Sequence, residues 1–301
     1  MTAVRSVVVL TNPAAGVGQA DKSARRAVAR LRARGLDVVD VAGNDAQDAT
    51  RIARSALEKR PDALVVVGGD GMIHLAIQVM AGQDVPLGVI PAGTGNDVAR
   101  EFGLPRNSPE AAADVVADGH SAPMDLGRIT RSDGAHTYFA TIMASGFDSL
   151  VNDRANRMRW PRGQFRYTLA MLAELAGLRP LPFRINLPGG SVIERQLTLA
   201  AVANTRSYGG GMCISPQADP ADGLLDLTLV HTMPRAKLVR FFPSVFSGKH
   251  VRHREVELIR ARTVRLESPG ITAYADGDFV SDLPVEVDVL PAGLRLLRPA
   301  Q

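Results

Sequence analysis

The stretch that most constrains this chain is Val65-Val66-Val67-Gly68-Gly69-Asp70-Gly71-Met72. An unbroken β-branched apolar run belongs to a strand covered on both faces. Beyond the glycines, Ile73, Ala76, Ile77 and Met80 recur at helical spacing. The stretch therefore reads as strand, tight turn, helix. Glycines let the backbone approach a ligand closely, and a helix start aims its N–H groups at an anion. Asp70 fits that picture poorly. Beside phosphates it would repel them unless it held Mg2+, a water on Mg2+, or a proton in transit. Taken alone, the turn fits an ordinary strand–helix corner equally well.

The same grammar repeats around it. Residues 6–10 predict a strand and Asn12-Pro13-Ala14-Ala15-Gly16 a turn, followed by a helix over 21–34 that Gly35 ends. A strand over 36–41, a helix over 48–59 and the strand 63–67 follow. Residues 86–90 predict a fourth strand, running into Pro91-Ala92-Gly93-Thr94-Gly95-Asn96-Asp97, a second glycine-rich turn that opens a helix. Such alternation predicts a Rossmann-like parallel sheet covered by helices, with the site at the C-terminal ends of the strands. All three turns fall at that edge.

The pattern changes near Pro123. Strands are expected over 124–130 and 138–143, then a helix-rich insert over 148–178. Strand-like runs follow at 183–187, 197–204, 225–231, 255–259, 263–267, 271–275 and 285–289, with a helix over 234–246. Strands in succession predict a β-rich sandwich or split barrel. The expected organisation is an α/β domain over 1–125 and a β-rich domain over 126–290, with a strand at 294–297 returning residues 291–301 to the first. The 301 residues suit two cores.

A net charge of +4 is compatible with anionic ligands or an anionic membrane surface, and lacks the dense basic patterning of a nucleic-acid binder. Cys213 stands alone, which excludes an intrachain disulfide and fits a reducing compartment. No leader pattern or apolar span of about 20 residues is present, so a cytoplasmic protein is expected. A β-rich domain with an open edge is compatible with a homodimer.

Several polar residues stand out. Thr94 and Asn96 sit at a helix start, where capping and ligand contact both fit, and Asp97 suits the helix dipole. The run Pro216-Gln217-Ala218-Asp219-Pro220-Ala221-Asp222-Gly223-Leu224-Leu225-Asp226 reads as a hairpin turn or as a cation loop. Asp276-Gly277-Asp278 is a turn whose carboxylates could supply a general base and a metal contact. Asp125 reads as a surface acid or a site residue. Arg154, Arg157, Arg159, Trp160, Arg162, Arg166 and Tyr167, and separately Lys249, His250, Arg252, His253 and Arg254, are basic clusters able to meet anionic lipid or simply to face water.

Asn12-Pro13-x-x-Gly16, Gly68-Gly69-Asp70-Gly71, Pro91-x-Gly93-Thr94-Gly95-Asn96-Asp97, Pro216…Asp222-Gly223-x-Leu225 and Asp276-Gly277-Asp278 resemble, in that order, the motifs of diacylglycerol-kinase-type lipid kinases. These include the soluble bacterial diacylglycerol kinases and, more distantly, sphingosine and ceramide kinases. The resemblance spans residues 6 to about 297. It implies an α/β nucleotide domain, a β-rich domain and an interdomain cleft. It implies ATP held by Asn12, Pro13, Ala14, Ala15, Gly16, Gly68, Gly69, Asp70, Gly71, Met72, Thr94, Gly95 and Asn96. It implies Mg2+ at Asp222 with backbone groups of Asp219 and Leu224, near the acids Asp70, Asp97 and Asp125. Asp276 or Asp278 would take the proton of a lipid hydroxyl, most simply that of diacylglycerol, giving phosphatidic acid at the inner face of a membrane. No lysine lies in the glycine turns, so the cation would be Mg2+ or an arginine such as Arg100. This chain has Met72 where the family usually has Thr, Asp278 where it has Glu, and Ala42 or Gly43 where a Thr is usual. The departures leave open a catalytically weak nucleotide- or lipid-binding regulator, or a kinase of another lipid alcohol or of a soluble metabolite such as NAD.

Overall fold

The computed structural model describes residues 4–11, 19–158, 169–170, 173–174, 177 and 179–300. Two compact units emerge. One comprises residues 1–126, 209–211 and 290–301; the other comprises 127–208 and 212–289. The fold is α/β, with an N-terminal parallel sheet and a C-terminal β-sandwich-like part.

In the first unit, β1 (Ser6–Thr11), β2 (Asp37–Ala42), β3 (Ala63–Gly68) and β4 (Leu87–Pro91) pair in parallel in the order β4-β3-β1-β2. α1 (Gln19–Ala33) and α5 (Pro109–Asp118) pack together, and Ala27, Leu31, Ala113 and Val116 meet Val9, Val65 and Ile90 in one core. α2 (Ala46–Glu58) and α3 (Asp70–Met80) pack on each other and on β3. Alternate strand residues such as Val8, Leu64 and Val66 are buried too, which explains the unbroken apolar runs. Asp45 caps α2, accepting from Asp48 N.

α5 has no counterpart among the expected elements, though its signals are strong. Ser108 accepts from Ala111 N, Pro109 opens the helix and Gly119 ends it at φ 70°. Arg26 pairs with Glu110 and Arg30 and Arg34 with Asp114, tying α1 to α5. The turn at 91–97 opens only a five-residue α4 (Asp97–Glu101).

In the second unit, β5 (Ser121–Arg131, which enters from the first unit) pairs with β6 (His136–Phe139). The single strand expected over 138–143 is two, β6 and β7 (Ile142–Gly146), broken at Ala140 and Thr141. α6 (Phe147–Arg157) and β8 (Leu181–Asn186) precede β9 (Val192–Ala203). The long β9 pairs through its first half with β8 and through its second with β7 and β10 (Leu225–His231). α7 (Arg235–Phe246) lays Leu238, Phe241 and Val245 against β7, β9 and β10. β11 (Val256–Ala261) and β12 (Thr263–Glu267) follow. β13 (Thr272–Ala275) and β14 (Asp278–Asp282) form a hairpin, and β14 was not anticipated.

The strands expected over 285–289 and 294–297 are one, β15 (Val285–Leu297). Its last residues belong to the first unit, where Leu296 pairs with Leu87 of β4 and is fully buried. Among the described residues no helix is long and apolar enough to cross a membrane.

Leu296→Ala leaves a cavity at this parallel edge. It should destabilise the protein by about 2–5 kcal/mol, read from the denaturation midpoint.

Candidate active site

β3 ends at Gly68, and the chain enters α3 with Asp70 as its first helical residue. β4 ends at Pro91 and passes through 92–96 into α4. These two turns touch backbone to backbone. A Cβ on Gly93 would lie 2.4 Å from Gly69 Cα, and one on Gly69 would lie 3.0 Å from Gly93 Cα. Only glycine tolerates that approach. Asp70 Oδ1 then crosses the junction and accepts from Asp97 N at 2.7 Å. Asp97, 5% exposed, accepts at Oδ2 from Gly210 N at 2.8 Å. Gly210 sits in the run Gly209-Gly210-Gly211, whose φ values of 60°, 83° and 109° suit glycine.

Asn96 does not cap α4. At φ 52° it lies in the left-handed region, accepts at Oδ1 from Gly93 N at 3.1 Å and donates from Nδ2 to Gly93 O at 2.6 Å. It closes its own turn. Arg100 Nη2 donates to Gly95 O at 3.2 Å, and its guanidinium covers Gly211, where a Cβ would lie 2.4 Å from Nη1. Arg100 therefore braces these loops. Thr94 is exposed, and among the described residues neither Thr94 N nor Gly95 N has a partner. Met72 is buried under Gly68, where a Cβ would lie 2.5 Å from its Cγ; position 72 therefore turns its side chain inward. Gly68 to Met72 and Thr94 to Asn96 thus gather at the C-terminal ends of β3 and β4. Asn12, Pro13, Ala14, Ala15 and Gly16 lie outside the described residues. Asp125 is no surface acid: it is 4% exposed and accepts from Ala292 N at 2.7 Å.

In the second unit Asp276 and Gly277 join β13 to β14 with φ values of 52° and 92°, a two-residue hairpin turn with both residues left-handed. The Asp276 carboxylate turns back to the break between β6 and β7. Ala140 N donates to Oδ2 at 2.9 Å; Thr141 N and Oγ1 donate to Oδ1 at 2.8 and 2.5 Å. Asn204 holds the other side of that break, donating from Nδ2 to Ala140 O at 2.8 Å. Asp278 is exposed. Phe279 beside it is 58% exposed, with its ring edge-to-face on Tyr274.

The acidic loop is turned in on itself. Asp219 accepts from Ala221 N at 3.1 Å, and Asp222 accepts from Leu224 N at 3.0 Å and pairs with Arg260. Asp226 on β10 is 6% exposed, and its Oδ2 is buried with no partner among the described residues. Burial pushes its carboxyl up, against the pull of Arg260 and with the push of Asp222 and Asp219. Among the described residues no group of three or more His, Cys, Asp or Glu is placed to hold a metal ion.

The basic clusters are smaller than the sequence suggests. Arg154 pairs with Glu174 and Arg157 is exposed; Arg159, Trp160, Arg162, Arg166 and Tyr167 lie outside the described residues. His250 is fully buried, donating from Nε2 to Ile214 O at 3.0 Å, and burial lowers its pKa. His253 is half-buried against Phe241. Neither histidine belongs to a basic surface.

Sequence reasoning missed Gly209-Gly210-Gly211, Thr141, Asn204 and the burial of Asp226. A run of three glycines was the one available signal. The contact between the two turns has a direct test. Gly93→Ala should cost about 1–3 kcal/mol by overpacking. Gly71→Ala, where nothing lies within 4 Å of the added Cβ and the backbone is helical, should hold or raise the denaturation midpoint.

Known proteins are similar to this chain over nearly its whole length. The family described as the diacylglycerol kinase catalytic domain matches residues 6–129, and the YegS C-terminal NAD kinase beta sandwich-like domain matches 141–298. A diacylglycerol kinase of Mycobacterium tuberculosis (strain ATCC 25618 / H37Rv) is 56% identical over 98% of this chain and 96% of its own. One of Bacillus subtilis (strain 168) is 28% identical over 97% and 96%. The crystal structure of a diacylglycerol kinase from Bacillus anthracis str. Sterne superposes with a TM-score of 0.78 at 22% identity, covering 99% of both chains, which shows a shared fold. The chain belongs to the diacylglycerol kinase family.

Proposed function

We propose that the protein transfers the γ-phosphoryl group of ATP to the hydroxyl of diacylglycerol, giving phosphatidic acid at the inner face of a membrane. The observation that carries this reading is the pair of touching glycine turns, cross-linked by Asp70, whose Thr94 and Gly95 amides have no partner among the described residues. Such amides at strand ends bind phosphate oxygens. Family membership supports ATP as the donor and a lipid as the acceptor.

The chain's own groups divide the work. The turns hold and orient the triphosphate, which supplies most of the catalysis in a loose phosphoryl transfer. The lipid oxygen bonds to the γ-phosphorus as the bond to the β–γ bridging oxygen breaks, and ADP leaves. Asp278 takes the hydroxyl proton. Asp276 has spent its carboxylate on three donors, so it positions the hairpin and leaves the proton transfer to Asp278. The exposed Phe279 ring places apolar surface beside that acid, as a lipid acceptor requires.

Mg2+ fits residues in both units. Asp97 Oδ1 and Asp226 Oδ2 are carboxylate oxygens buried without a hydrogen-bond partner among the described residues, an expensive state that a cation relieves. Asp226 Oδ2 would meet one ion and Asp97 Oδ1, beside Asp70, another; the Asp219 and Asp222 carboxylates and the backbone of Leu224 would join the first only after Asp219 leaves Ala221 N and Asp222 leaves Leu224 N and Arg260. Bound Mg2+ supplies charge neutralisation at the phosphates.

Labelled ATP incubated with mixed micelles of diacylglycerol, other lipid alcohols or NAD tests the reaction. Labelled phosphatidic acid, lost in Asp70→Asn, is expected; label on NAD instead would overturn the reading. Asp278→Asn should lower kcat by about 10²–10⁴-fold and Asp278→Glu should restore much of it. Mg2+ should raise the thermal midpoint of the wild type, and Asp226→Asn should remove part of that rise.

A further inference from the structure

Residues 233–254 contain Arg235, Lys237, Arg240, Lys249, Arg252 and Arg254 and no Asp or Glu. The run therefore carries +6 in a chain whose net charge is +4. It folds as α7 followed by the short turn Lys249–Arg252.

The inward face of α7 is occupied by core residues: Leu238, Phe241 and Val245 are at most 8% exposed. A helix of this kind ordinarily turns a polar face outward. α7 instead turns out Val239, 54% exposed, and Phe246, 52% exposed, together with the exposed Arg235, Arg240 and Pro243. Phe242, half-buried, packs edge-to-face on Phe246 with ring centroids 5.7 Å apart, so the exposed ring is held in place. Lys249 and Arg252 extend the basic rim. Glu255, the first acid after the run, is taken up by Lys237 at 2.7 Å and Arg254 at 3.0 Å. Among the described residues no ion pair engages Arg235, Arg240, Lys249 or Arg252.

We propose that the outer face of α7, with Val239, Phe242 and Phe246 ringed by Arg235, Arg240, Lys249 and Arg252, seats the second unit on an anionic lipid surface. Apolar side chains at the centre and cations at the rim are the pattern of a helix lying in the headgroup plane. Acidic headgroups supply the counter-charge that no acid among the described residues gives these four cations. A second copy fits poorly, because a two-fold contact would set this patch of four cations, without a facing acid among the described residues, against itself. Nucleic acid would answer the arginines and leave Val239 and Phe246 in water. The inference rests on the lipid-kinase reading, since an enzyme whose acceptor is embedded needs a surface on which to dock.

The test is sedimentation with vesicles of phosphatidylcholine alone or with phosphatidylglycerol. Wild type should bind the anionic vesicles, with affinity falling as salt rises. Arg235→Glu/Arg240→Glu should lower the partition at least tenfold, as should Val239→Ser/Phe246→Ser. Both variants should phosphorylate a short-chain diacylglycerol dispersed below its micellar concentration at the wild-type rate, which shows that they fold. Unchanged vesicle binding in the variants would overturn the proposal, as would equal wild-type binding to neutral and anionic vesicles. A switch from dimer to monomer in sedimentation velocity would assign the face to a second copy, and salt-sensitive capture of a random oligonucleotide lost in the arginine variant would assign it to nucleic acid; either would overturn it. Vesicle binding as expected with no phosphorylation of any lipid alcohol would sink the kinase reading and leave the surface standing.

Discussion

One hydrogen bond organises the first unit's site: the carboxylate of Asp70 accepts from the backbone N–H of Asp97, across a close approach of Gly69 and Gly93 that only glycine at position 93 allows. Two strand ends that would otherwise present independent loops become one surface. The bond is charge-assisted and partly shielded from water, so it is among the stronger kinds available. It also gives the acid of the central turn a structural use of its own, since one of its oxygens is committed to the protein. Asp97 passes the constraint on to Gly210, and Arg100 holds the carbonyl of Gly95 from behind. Side chains fix the backbone here, and the Thr94 and Gly95 amides are left without a partner among the described residues.

The second unit uses its acids in the opposite sense. Asp276 and Asp278 are two residues apart and chemically identical, and the fold gives them different work. Asp276 accepts three hydrogen bonds from the break between β6 and β7, which satisfies donors that a broken strand would otherwise strand in the interior. The left-handed turn at Asp276 and Gly277 then presents Asp278 to solvent at the start of β14. Sequence spacing alone could not separate the two roles, since it says nothing about which carboxylate finds donors.

What could be read beforehand followed local physics. Unbroken apolar runs at 63–67 and 86–90, glycine turns after them and helical spacing behind gave the parallel sheet and the edge at which its loops gather. The motif order, as a resemblance, led to the family. Features decided by distant residues were not legible. Asn96 looks like a cap until Gly93 is seen to supply both of its partners. Asp125 looks like a surface acid until Ala292 arrives from 167 residues away. His250 belongs to a basic stretch by sequence and to an apolar interior by packing. Gly209-Gly210-Gly211 carries a signal in its composition, but its partner Asp97 is more than a hundred residues earlier.

The long β15 has a consequence for how the protein is made. The parallel sheet of the first unit is missing its strand beside β4 until residues 290–297 have been synthesised, and all of the second unit is translated in between. A nascent chain emerging from the ribosome therefore exposes the Leu87 edge of β4 for most of its synthesis. Such an edge is a template for pairing with a neighbouring nascent chain on the same message. The first domain begun is the last completed, and a cell making this protein on crowded polysomes has reason to shield that edge until the chain returns.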